Sequence, residues 1–312
     1  MQINAQIVTH TLKRPFTISR GSRTHAEVIQ VAIKKDGKEG IGECSPTGRY
    51  GETFESVLAQ IDSVKEKVFD RSQLKVLLPA GAARNALDCA LWDLEADNFP
   101  YDFSLPDHIQ TAMTVSIATP QKMAEEAKDY VEQGAKLIKV KLNGDDVYER
   151  LSAVRAAAPD STLIVDANEA WRNLDIEATI KQIAPLNIAM VEQPLPAAGD
   201  DVLREVSSSI PFCADESCHT ADDVDGLAGK YQMVNIKLDK TGGLTAAFEL
   251  EQAARTNGMQ VMVGCMLGSS VAMRAALPIA ANAVLVDLDG AFLISDDIQG
   301  GLTYQNGSII IM

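Results

Sequence analysis

Apolar and polar residues alternate from Gln2 to Thr9 and again from Val28 to Lys34, the two-residue period of a strand with one buried face. The turn pair Asp36-Gly37 after the second run predicts a hairpin. The period then changes: Phe54, Val57, Leu58, Ile61, Val64 and Val68 share one face of a helix over 52–68, and Ala82 to Leu94 reads as a second, more apolar helix that stops before Pro100. This opening stretch predicts an α+β unit, and the turn-rich segment from Phe99 to Pro106 marks its boundary.

Beyond it, short apolar runs rich in β-branched residues recur at 111–117, 137–142, 162–166, 188–192, 211–215, 232–237, 260–264 and 283–287. The residues ending successive runs, from Lys141 through Asp166, Glu192, Asp215, Lys237 and Gly264 to Asp287, are 22 to 27 positions apart, room for one strand and one helix each. The segments between carry helical signals, such as the cap Thr119-Pro120 followed by Met123, Ala127 and Tyr130 on one face and Gly134 at the end. Eight strands alternating with helices predict a parallel β/α barrel, whose C-terminal strand ends converge on one mouth. A doubly wound open sheet is the competing architecture; it wants a glycine-rich phosphate loop after its first strand, and none follows Ile117.

Composition narrows the partners. The 312 residues are 46% hydrophobic, enough for a sizeable core, and a net charge of −15 disfavours phosphate backbones and anionic lipid surfaces. The five cysteines are scattered and odd in number, which suits reduced thiols rather than a disulfide framework. The N-terminus lacks the apolar core of a signal peptide, and no run approaches a membrane span, so a cytoplasmic protein is expected. Self-association into a homo-oligomer is left open.

The strand ends concentrate charge where a barrel does chemistry: Lys139 and Lys141, then Asp166, Glu192 and Asp215 on three neighbouring strands, then Lys237. Three clustered carboxylates are tolerated around a hard cation with oxygen ligands, for which Mg²⁺ is the natural choice. Lys141 and Lys237 belong to the second and sixth strands and face each other across the mouth. A carboxylate substrate on the cation has a more acidic α-proton, so two opposed bases around an enediolate amount to inversion at an α-carbon. Asp287 and Asp289, at i and i+2, point to the same side and suit a substrate ammonium.

The Lys-x-Lys of IKVKL, the carboxylates of VDANEAW, VEQPLP and ADES, and NIKLDKTGG resemble the muconate-lactonizing subgroup of the enolase superfamily, over nearly the whole chain. Within it, DESCHT, GCML and Asp287-Leu288-Asp289 resemble the dipeptide epimerases of murein peptide recycling. The resemblance implies an α/β protein, a modified TIM barrel (β/α)7β over 107–292 under an N-terminal α+β capping domain over 1–106, with the tail 293–312 returning to the cap. It implies that Asp166, Glu192 and Asp215 ligate Mg²⁺, that Lys141 and Lys237 are the acid/base pair, and that Lys139 contacts substrate. It also implies that Asp287 and Asp289 hold the free amino terminus of a dipeptide.

Specificity is expected from the cap. The segment from Phe16 to Arg23 resembles a mobile closing loop in which Arg23, chosen over Arg20, could pair with a Glu side-chain carboxylate, and Tyr50 in GRYGET helps close the site. Cys265 of GCML is expected to pack or to offer backbone to substrate, Cys218-His219 to be structural, and Asp239 and Lys240 to support the neighbouring Lys237 from behind. N-acylamino acid racemase, o-succinylbenzoate synthase and muconate cycloisomerase activities share the same metal and lysines. Gly268, where lactonizing relatives carry a glutamate, argues against the last. A Schiff-base aldolase would need no carboxylate cluster, and a solute-binding protein would have no use for opposed lysines.

Overall fold

The computed structural model describes residues 1–311. Strands β1 (Gln2–Ile18), β2 (Gly21–Lys35) and β3 (Lys38–Cys44) form an antiparallel sheet, and Asp36 and Gly37 take φ of 51° and 81° in the predicted hairpin turn. The β1–β2 pairing shifts register between Thr11 and Phe16 and then continues as Phe16↔Arg23, Thr17↔Ser22 and Ile18↔Gly21. The segment read as a loop is therefore a two-stranded extension with Ser19 and Arg20 at its tip. Main-chain pairing rather than burial carries it, since residues 13–15 and 20–25 are exposed.

Helices α1 (Phe54–Val64), α2 (Arg71–Leu77) and α3 (Ala82–Glu95) cover one face of this sheet. The first helix ends before Val68, which is 75% exposed, and α2 starts at a capping box of Asp70 and Gln73. The α3 backbone lies directly on β3: a Cβ at Gly42 would stand 2.0 Å from the carbonyl oxygen of Ala86.

Eight parallel strands form the second layer: β5 (Met113–Val115), β6 (Leu137–Lys141), β7 (Thr162–Asp166), β8 (Ile188–Glu192), β9 (Phe212–Ala214), β10 (Met233–Ile236), β11 (Gln260–Gly264) and β12 (Leu285–Asp287). They stand in sequence order, and the main-chain bond from Ala112 N to Val286 O, 2.8 Å, brings the first strand to the last. The architecture is α/β, a nearly closed parallel barrel with an antiparallel cap. Alternation along the strands explains the interior. Leu137, Ile164, Met190, Cys213, Met233 and Met262 fill one inward layer, and two residues on, Lys139, Asp166, Glu192, Asp215, Asn235 and Gly264 make the next. The outward residues between them pack on the surrounding helices.

Not every connection is a full helix. Between β8 and β9 the chain runs as a 3₁₀ segment, Ala197–Glu205, kinked at Gly199, and among the described residues after β12 only Gly290–Leu293 is helical. The tail divides. Ile294 bridges to Leu12 and Ser295 N donates to Thr11 O in the cap, whereas β13 (Thr303–Gln305) and β14 (Ser308–Ile310) pair with β4 (His108–Gln110) beside the first barrel strand.

The cap is docked by buried polar contacts. Arg84 of α3 donates to the carbonyls of Thr241 and Gly242, and Asp239 accepts from Ser45 N and Asn85 Nδ2 at 2.8 and 3.1 Å. Gly242 is required there: its φ is 80°, and a Cβ would lie 2.3 Å from Arg84 Nε.

Candidate active site

The barrel mouth and the cap enclose a cavity of about 430 Å³. Phe16, Arg20 and Arg23 reach it from the β1–β2 hairpin, Ser45 to Tyr50 from the segment after β3, and Lys141, Asp215, Lys237, Cys265, Asp287 and Asp289 from the barrel. Lys139, Asp166 and Glu192 lie beneath its surface, with side chains 1%, 0% and 0% exposed. Lys139 is one inward layer deeper than Lys141, so it meets carboxylates rather than the open cavity.

Those carboxylates are spanned by ammonium groups. Lys139 Nζ is 2.7 Å from Asp287 Oδ2, 2.7 Å from Glu192 Oε2 and 3.2 Å from Asp166 Oδ2. Lys141 Nζ is 2.5 Å from Asp166 Oδ2, Lys237 Nζ is 2.6 Å from Asp215 Oδ2, and Lys240 Nζ is 2.7 Å from Asp215 Oδ1. Burial would raise the carboxyl pKa values, but Lys141 and Lys139 hold Asp166 well below the usual carboxylate range, and Lys237 and Lys240 do the same for Asp215. Glu192 goes the other way, pushed up by burial and by the charge of Asp166. Burial would lower Lys237, yet Asp215 and Glu192 outweigh it and keep the ammonium well above its ordinary value.

The donor chemistry at these strand ends fits a hard divalent cation. Asp166, Glu192 and Asp215 are fully buried at the ends of three neighbouring strands, and among the described residues Glu192 Oε2 has no hydrogen-bond partner, though Lys139 Nζ lies 2.7 Å away as an ion pair. Its other oxygen accepts from Asn235 Nδ2 at 2.7 Å. As arranged, no three His, Cys, Asp or Glu among the described residues form a closed ligand set. A cation there would compete with Lys141 and Lys237 for the oxygens they now hold, and its charge would weaken the attraction that keeps Lys237 protonated.

Opposite, Asp287 Oδ1 is buried without a hydrogen-bond partner among the described residues, while Asp289 Oδ2 accepts from Thr114 N at 2.8 Å. Burial and the charge of Asp287 push Asp289 up to about 7. A cation from a substrate would relieve both. Tyr50 meets His219 edge-on at 4.4 Å between ring centres, and burial pushes its hydroxyl pKa up.

The rim holds groups that the strand-end pattern does not single out. Arg49 makes two 2.6 Å bonds to Glu169, and Arg20 bonds Glu216 at 2.9 Å and the Asn168 carbonyl at 3.2 Å. Arg20 is thus committed, whereas Arg23 lines the cavity with no ion-pair partner among the described residues. Glu169, Glu216 and Arg49 all stand inside motifs already noted, VDANEAW, ADES and GRYGET. Nothing local distinguishes them, because each pair joins residues more than a hundred positions apart.

Residues 2–100 match the sequence profile of the mandelate racemase / muconate lactonizing enzyme N-terminal domain, and residues 122–311 match the enolase C-terminal domain-like profile. The chain belongs to the enolase superfamily. It is an enzyme, an isomerase. It is 48% identical over 307 residues to the L-Ala-D/L-Glu epimerase of Escherichia coli K12, covering 96% of each chain. It is 44% identical over 292 residues to an N-acetyl-D-glutamate racemase of a Pseudoalteromonas species, covering 90% of this chain and 92% of the other. Its fold superposes with a TM-score of 0.95 and 42% identity on an Agrobacterium tumefaciens enolase family member with homology to dipeptide epimerases, solved with sodium, L-Ala-L-Glu and an ordered loop, over 99% and 97% of the two chains. Among the described residues no helix is long and apolar enough to cross a membrane.

Proposed function

We propose that the chain is a divalent-metal-dependent dipeptide epimerase acting on L-Ala-L-Glu and L-Ala-D-Glu, with Mg²⁺ as the physiological cation. The observation that supports this reading is the buried pair Asp287 and Asp289 in the cavity wall, one with an oxygen unpartnered among the described residues, which would suit a free ammonium. A substrate so anchored lies across the mouth with its carboxylate toward Asp166, Glu192 and Asp215.

A cation on those three residues would supply stabilisation for the charge that builds on the substrate carboxylate as the α-proton leaves. Lys141 and Lys237 do the proton work. They arise from β6 and β10, four strands apart in a ring of eight, and so approach the α-carbon from opposite faces. One lysine in its neutral form takes the proton from one face, the other in its ammonium form delivers a proton to the opposite face, and the configuration inverts. Arg23 would read the Glu side-chain carboxylate, and Tyr50 and Cys265 would complete the walls. The division into a cap over 1–106 and a barrel over 107–292, a cytoplasmic location and a place in murein peptide recycling belong to the same proposal.

The test is incubation of L-Ala-L-Glu and L-Ala-D-Glu with the enzyme and Mg²⁺ in D₂O, reading mass and stereochemistry. Epimerisation with deuterium only at the Glu α-carbon supports the reading. The relative active on N-acetyl-glutamate favours one alternative, racemisation of an N-acylated glutamate. N-acetyl-glutamate turned over faster than the free dipeptide would overturn the dipeptide assignment.

A further inference from the structure

Two separate cap segments converge around one side chain. Glu169 follows β7 on the barrel rim with φ at +66°, is 9% exposed, and is held from below by Ala197 N, which donates to its Oε1 at 3.0 Å. Arg49, from the segment after β3, grips it with Nε on Oε2 and Nη2 on Oε1, both at 2.6 Å. Arg20, at the tip of the β1–β2 hairpin, stands 3.5 Å from the same Oε2 and bonds Glu216 Oε1 at 2.9 Å, while Ser19 Oγ and Arg20 Nη1 both donate to the carbonyl of the preceding Asn168. The residues beside these arginines, Tyr50 and Ser22 with Arg23, line the cavity roof.

We propose that Glu169 is a positioning residue on which both cap segments close, so that Tyr50 and Arg23 are held over the cavity together. A two-point carboxylate–guanidinium grip fixes direction as well as distance, which one surface ion pair does not. Glu169 touches no reacting atom. Its loss should therefore act on substrate capture more than on the proton transfers.

Hydrogen exchange of the whole enzyme tests this without substrate. In Glu169→Ala, amides of both 16–24 and 45–52 should exchange several-fold faster. With L-Ala-L-Glu, KM should rise about ten-fold, the scale of one lost charge-assisted pair, while kcat changes less than three-fold. Glu169→Gln, which keeps shape but loses charge, should fall between and stands in if the alanine variant does not fold. Arg49→Ala added to Glu169→Ala should cost little more than Glu169→Ala alone. Exchange that quickens in only one segment, or in neither, overturns the proposal, as does a double variant that loses the sum of both singles. The kinetic arm rests on the dipeptide reading. If the wild type ignores dipeptides, that reading fails and the exchange result alone decides the role of Glu169.

Discussion

Replacing Lys139 with methionine removes a buried cation from three carboxylates at once, leaving Asp287, Glu192 and Asp166 facing one another. Methionine matches the volume, so the loss is electrostatic rather than steric. Breaking a buried pair by removing one partner costs about 3 to 5 kcal/mol, a large share of the 5 to 15 kcal/mol that holds a typical domain together. With about 2.1 cal/mol/K of unfolding entropy per residue over 312 residues, that loss lowers Tm by about 5 to 8 °C at neutral pH. The folded pKa of Lys139 is raised: burial would lower it, but Asp287 and Glu192 outweigh burial. Its stabilising contribution is therefore fully present below the unfolded lysine value and fades only as pH rises through the folded one, so the deficit should persist across pH 6 to 9.

Scanning calorimetry of wild type, Lys139→Met, Asp287→Asn and the double variant measures this directly. Because Asp287→Asn removes one of the three stranded charges, the double variant should regain part of what Lys139→Met loses. A Tm within 1 °C of wild type for Lys139→Met, or losses that simply add in the double variant, would refute the account of Lys139 as the counter-charge of the site.

Three further outcomes follow from the same geometry. Asp239 is pushed up to about 7 by burial, so its folded form holds a proton that the unfolded chain releases near pH 4; stability falls as pH rises through that window. Asp239→Asn keeps an acceptor for Ser45 N and Asn85 and removes the penalty, with about 4 kcal/mol as the ceiling at about 1.4 kcal/mol per unit; its advantage over wild type in urea melts should grow between pH 5 and pH 8, and an advantage independent of pH counts against the mechanism. Glu192→Gln should weaken Mg²⁺ binding at least ten-fold by calorimetric titration, and unchanged affinity would remove Glu192 from the ligand set. Lys141→Ala and Lys237→Ala should each abolish epimerisation, while each still exchanges deuterium into one stereoisomer of the dipeptide, opposite in the two variants; epimerisation surviving in either would end the two-base reading.

What the sequence discloses and what it hides separate along a physical line. The inward residues of β6 to β12 repeat every two positions within one strand, so Asp166, Glu192, Asp215 and Lys237 could be placed at the barrel mouth by local period and spacing alone. Helix α2 escaped that reading because its seven residues bury only Leu74, too little for an amphipathic face to show. The far end of the β1–β2 hairpin escaped for a related reason: its register is held by main-chain bonds past a shift after Thr11, and its polar sequence carries no burial pattern to read. Pairings were hidden most completely. Which carboxylate each lysine takes depends on how the barrel strands close around one another, and that Arg49 meets Glu169 across 120 positions depends on how the cap sits on the barrel. That seating is set by Arg84, Asn85 and Asp239, whose contacts have no periodic signature. The proposed proton-transfer groups therefore stand on elements whose arrangement is local and legible, and the proposed specificity groups stand where cap and barrel meet. On the proposed function, substitutions at Arg20, Arg23, Arg49 or Glu169 should alter which substrate is held while leaving the strand-end groups in place, because those groups are positioned by the inward period of the barrel strands rather than by the cap.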